Sequence, residues 1–143
     1  MTWNPSQDAA QNARTKLPKR VEKYFKAGRE VVRGKNTPKE LHRFRVATKR
    51  FRYTLELFRP VYGPSLDRQL SALRNLQDVL GQLSDHHTIQ TLTIGDKPLQ
   101  AMLDSASEGH LERFHRAWKE FDSDGRLQRW KAYFAGGRPR ASG

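Results

Sequence analysis

Leu66, Leu70, Leu73, Leu76 and Leu80 recur at spacings of three and four residues, a pattern that only an α-helix gathers onto one face. The stripe, which Gln77 joins, constrains the chain more than any other feature, and similar stripes run through most of the sequence. Leu17 to Arg33 sets Leu17, Val21, Tyr24, Phe25, Gly28, Val31 and Val32 on one side and Lys and Arg on the other. Pro18 suits the first turn of that helix and Gly34 its end. Thr37-Pro38-Lys39-Glu40 reads as a capping box and opens a second helix that runs to about Phe58. Pro60, Gly63 and Pro64 break the chain, and a third helix from about Ser65 continues past Gly81 towards Leu92.

Gly95-Asp96-Lys97-Pro98 reads as a turn and a helix start. The fourth helix aligns Leu103, Ser107, Leu111, Phe114, Trp118 and Phe121, and Asp124 is placed to cap a short last helix carrying Leu127, Trp130, Tyr133 and Phe134. No segment alternates as a strand does. The expected fold is therefore all-α: a four-helix bundle or helical hairpin stack with a short C-terminal helix. Residues 1–16 read as a partly ordered N-terminal segment, 17–135 as the helical domain and 136–143 as a flexible basic tail.

At 143 residues the chain is long enough to bury a core without staples, and it has no cysteine for a disulfide or a thiolate metal site. Met1 to Ala13 lacks the charged lead and apolar run of a secretory leader, and no apolar stretch is long enough to span a membrane. A cytoplasmic protein is expected. The 27 Lys and Arg against 15 Asp and Glu give a net charge of +12, a field that attracts polyanions. Half of that excess is concentrated. Between Lys35 and Pro60 eight basic residues face only Glu40 and Glu56.

On the second helix His42, Arg45, Lys49 and Arg52 follow one another at spacings of three, four and three, with Tyr53 beside them. They form a ridge about 15 Å long, on the side opposite the apolar Phe44, Phe51, Leu55 and Phe58. Arg43 and Arg50 make a second basic flank. Like charges at these spacings repel. Glu56 offsets part of that repulsion, and a bound anion would offset more. Arginine's planar fork matches phosphate oxygens in pairs, lysine adds a mobile charge, and histidine donates a hydrogen bond in either charge state. A plain solvated face is the alternative reading of the same residues.

Asp67, Arg74, Asp78, Gly81 and Asp85 share a stripe on the third helix. Carboxylates there suit a divalent ion, general base work or the positioning of arginines on a neighbouring helix. The interspersed arginine and the cationic background disfavour a metal cage. Asp78 and Asp85 are therefore expected to orient arginines, Arg74 to join the anion-binding set, and Gly81 to admit a neighbouring helix closely.

The run from His42 to Glu56 resembles the helical signature of CHAD domains, H-x-x-R-V-x-x-K-R-x-R-Y, and Leu76 to Asp85 resembles the same family's LQ-x-x-LG-x-x-x-D segment. The resemblance covers roughly Leu17 to Phe134. It implies an all-helical protein that binds inorganic polyphosphate through His42, Arg45, Lys49 and Arg52, with Tyr53 following as in many members. It also implies a departure: such domains usually pair two four-helix repeats about a pseudo-twofold, and one repeat is legible here. Either a homodimer restores the doubled surface, with Trp118, Trp130, Tyr133 and Phe134 as candidate interface residues, or the sequence is a fragment or a divergent half. Association with polyphosphate or storage granules is a further expectation, as a targeting role.

Two other classes compete. A helical nucleic-acid binder would need aromatics for stacking, and Phe44, Phe51 and Phe58 face inward. A phosphohydrolase or phosphotransfer protein would use His42, but no P-loop, metal-ligand spacing or nucleophile–base pair accompanies it. Binding without catalysis, with no cofactor and no metal, is the expected function.

Overall fold

The structure, a computed structural model, describes residues 8–136, so the expected basic tail lies almost wholly outside the described residues. Its helices are α1 (Ala9–Arg33), α2 (Pro38–Leu57), a single turn α3 (Arg59–Tyr62), α4 (Asp67–Leu92), α5 (Lys97–Phe121) and α6 (Arg126–Phe134). A 3-10 turn, Gly63–Leu66, joins α3 to α4, and there is no strand among the described residues. The fold is all-α, as the periodicity predicts.

The largest difference is at the start of α1, which begins at Ala9: the weak signal for a further turn or two over Ser6 to Lys16 is, from Ala9 on, a continuation of the helix whose clear stripe starts at Leu17. Asp8 caps it by accepting from the Gln11 N–H at 2.7 Å, and the buried stripe runs back through Leu17 to Ala13 and Asn12. Pro18 therefore lies inside the helix. It removes one backbone donor there, and burial of the flanking Ala13, Leu17 and Val21 holds the helix across the gap. Small and polar residues carry the extra turns, and they leave no periodic apolar signal.

The other boundaries fall close to expectation. Thr37 caps α2 through its Oγ1 to the Glu40 N–H at 3.2 Å, and Asp96 caps α5 through the Leu99 N–H at 3.2 Å. Ser65 and Leu66 belong to the 3-10 turn, so α4 starts at Asp67. Asp124 does not cap α6. That position falls to Gly125, and the two residues take left-handed φ values of 55° and 68°.

The core is aromatic. The Tyr24 ring of α1 stacks with Phe44 at 5.2 Å and Phe51 at 4.8 Å, and its hydroxyl shares a 2.7 Å hydrogen bond with the Thr48 hydroxyl. That bond satisfies two polar groups that burial would otherwise penalise. Trp118 and Phe121 of α5 and Trp130 and Phe134 of α6 close the same cluster. Gly28 makes room for the first of them, since a Cβ there would stand 2.1 Å from the Trp118 ring. Arg29 locks the far end of α5 with two 2.7 Å hydrogen bonds to the Asp122 carboxylate.

Burial of Trp118, Trp130 and Phe134 corrects the expectation that they supply a dimer interface: they complete the chain's own core. Half-buried Tyr133 is engaged too, sharing a 2.6 Å hydrogen bond with Ser65 and stacking on Tyr62. Gly81 is corrected as well, because nothing lies within 4 Å of a Cβ built there.

Candidate anion-binding groove

α2 lies between α1 and α4 and packs mainly on α4. A helix so placed keeps only a narrow solvated strip, and this changes the geometry of the ridge. His42 is exposed, but Arg45, Lys49 and Arg52 are half-buried on the flank towards α4 and do not stand opposite the core. The Arg52 side chain keeps only 15% of its surface exposed. Half-burial of these cations, and the reach of Glu56 on the same ridge to Arg74, set them on the flank of α2 beside α4, and we call this flank the groove.

α4 contributes Arg74. The Glu56 carboxylate lies 4.0 Å from the Arg52 Nε, one helical turn back on α2, and 3.6 Å from an Arg74 nitrogen across the groove. The Arg52 guanidinium also lies over the exposed Tyr53 ring, 4.8 Å from its centre. Arg52, Tyr53, Glu56 and Arg74 are thus brought together as one cluster. Among the described residues, Arg45 and Lys49 have no carboxylate partner, and the buried Nε atoms of Arg45 and Arg52 have no hydrogen-bond acceptor. Buried charged donors without acceptors are costly.

The remaining basic residues sit elsewhere. Arg43 turns to the α1 side, into a hollow shared with Glu30, Val31 and Glu40. Arg50 lines another hollow with Tyr53, Thr54, Glu56 and Arg20 of α1. Arg20 is a cation that the sequence reasoning missed, because nothing distinguishes it from the other Lys and Arg on the polar face of α1.

The expected role of Asp78 and Asp85 is not met. Both are exposed, and neither has a hydrogen bond or ion pair among the described residues. Arg74 turns across the groove to Glu56 and not along α4 to Asp78. The nearer partner is on the neighbouring helix, so one carboxylate orients two arginines. No group of three or more His, Cys, Asp or Glu among the described residues is placed to hold a metal ion. None of the described helices is long and apolar enough to cross a membrane.

A bundle with cationic side chains beside the contact of two packed helices defines an all-α module with a basic face. The family follows from comparison. The CHAD domain model matches residues 2–93, most of the chain including the whole groove, and the protein belongs to the CHAD domain family. No curated protein and no solved structure matches significantly.

Proposed function

We propose that the chain binds inorganic polyphosphate along the α2–α4 groove and does not turn it over. CHAD domains are associated with polyphosphate-related proteins. One observation supports the reading: Arg52 and Arg74 share the Glu56 carboxylate between α2 and α4, and it is the one carboxylate paired with any of Arg45, Lys49, Arg52 and Arg74 among the described residues. A string of phosphates supplies the missing countercharge at repeated intervals, and the half-buried guanidinium groups meet it at reduced dielectric, where charge-assisted hydrogen bonds strengthen. Phe44 and Phe51 are buried, and the exposed Tyr53 has Arg52 over its ring, so the groove offers little for base stacking. This favours polyphosphate over nucleic acid.

A competition series of long polyphosphate, short polyphosphate, RNA and heparin at fixed salt tests the reading. Long polyphosphate is expected to bind tightest, and no orthophosphate is expected to appear with or without magnesium. RNA displacing polyphosphate at lower concentration, or metal-dependent phosphate release that follows the purified protein, contradicts it. The proposal extends to a homodimer, since one copy offers only about 15 Å of ridge. A single sedimenting species near 16.6 kDa at micromolar concentration removes that extension.

A further inference from the structure

A cavity of about 790 Å³ opens where the first turn of α2 meets α4 and α5. Its size falls in the range of small-molecule sites, roughly 300–1,000 Å³. Its wall has two characters. Leu41, Leu80, Leu83 and Leu111 make it largely apolar, while Lys39, His42, His86 and His87 supply basic groups, and no carboxylate lines it. Glu40, which follows Lys39 in the sequence, turns away into the hollow between α1 and α2.

Of the basic groups in this wall His86 lies deepest. It is only 7% exposed, and its Nε2 is buried without a hydrogen-bond partner among the described residues. Its ring lines the cavity and packs 5.0 Å from that of His110 on α5.

We infer that this cavity binds a small organic anion, of the phosphate monoester class, whose apolar body lies among the leucines and whose oxyanion meets the Lys39–His42 end. Bare inorganic phosphate would leave the leucine wall unused, and a neutral apolar molecule would leave the basic groups unmatched. The site adjoins the polyphosphate groove without coinciding with it. His42 belongs to both, but Arg52 lies ten residues further along α2, about 15 Å away, and does not line the cavity.

Calorimetry without polyphosphate tests this, with 1-naphthyl phosphate as the probe and inorganic phosphate and 1-naphthol as its two halves. The probe is expected to bind at least tenfold tighter than either half. His42→Ala and the cavity-filling Ser107→Trp should each weaken it severalfold, and Arg52→Ala should leave it unchanged. Binding no tighter than one of the halves, or an equal loss in Arg52→Ala, overturns the inference. Should Ser107→Trp not fold, the wild-type histidine side-chain resonances decide. Shifts at His86 and His87 on saturation with the probe are expected, and their absence is contrary.

Discussion

The Glu56 carboxylate of α2 stands 3.6 Å from the Arg74 guanidinium of α4, and the same oxygen faces Arg52 at 4.0 Å. One acidic side chain thus bridges the two walls of the groove and occupies the arginines that a polyanion would use. Such partly exposed pairs contribute about 0–1 kcal/mol each, so incoming phosphates can displace the carboxylate at small cost. Glu56→Gln is expected to raise polyphosphate affinity by about two- to fivefold, since a gain of up to ~1 kcal/mol is at stake. Asp78→Asn serves as the control, removing one negative charge from α4 outside any ion pair, and should change affinity less. Titration of both variants against the wild type checks this, and a weakened Glu56→Gln would mean that the carboxylate holds the arginines in their binding geometry.

The packing of Trp118 on Gly28 gives a prediction about stability alone. A methyl group at Gly28 would stand 2.1 Å from the indole, which must then move within a crowded aromatic cluster. Overpacking of this kind costs about 1–3 kcal/mol. Gly28→Ala should lower the unfolding temperature clearly in a thermal melt, despite alanine's better helix propensity. An unchanged or raised Tm would mean that the indole has another place to go.

The His86–His110 contact predicts acid sensitivity. Burial lowers the His110 pKa below its ordinary 6.5, and His86 and Arg113 lower it further. The folded chain therefore favours the neutral imidazole. Above the unfolded value both states are neutral and the stability is fully present. As pH falls below about 6.5 the unfolded chain takes up its proton first, so stability declines until the folded pKa is passed. Denaturant melts between pH 7.5 and 5 should show this loss, and His110→Gln should reduce it. A loss of the same size in His110→Gln would place its origin at another group.

Much of the fold was legible because leucines and aromatics at helical spacing coincide with glycine and proline breaks. Thr37 and Asp96 announce the helices they cap, and Leu70, Leu73, Leu76 and Leu80 are buried as their stripe implies. The start of α1 was only faintly legible, because Asn12 and Ala13 are buried without being large and apolar. The composition of the groove was largely legible, but its walls were not. A helical wheel places Arg45, Lys49 and Arg52 opposite Phe44 and Phe51, yet it cannot say that α4 packs along that flank. Nor can it say that Arg74 prefers Glu56 on the next helix to Asp78 on its own. Such choices depend on how helices are set side by side, which periodicity does not encode.

Salt dependence of polyphosphate binding is the most direct measure of whether the half-buried cations of α2 hold the ligand. Each phosphate contact releases condensed counterions, so log affinity should fall linearly with log salt, and each lost contact should flatten the slope by about one, by analogy with nucleic acids. The measurement is a titration of long-chain polyphosphate between low and physiological salt, for the wild type and for Arg45→Ala with Lys49→Ala. The expected result is weaker binding by the double variant at every salt concentration, with the slope reduced by about two and the helical circular dichroism unchanged. A double variant with wild-type affinity and slope, still folded, would contradict the assignment of the groove as the polyphosphate site.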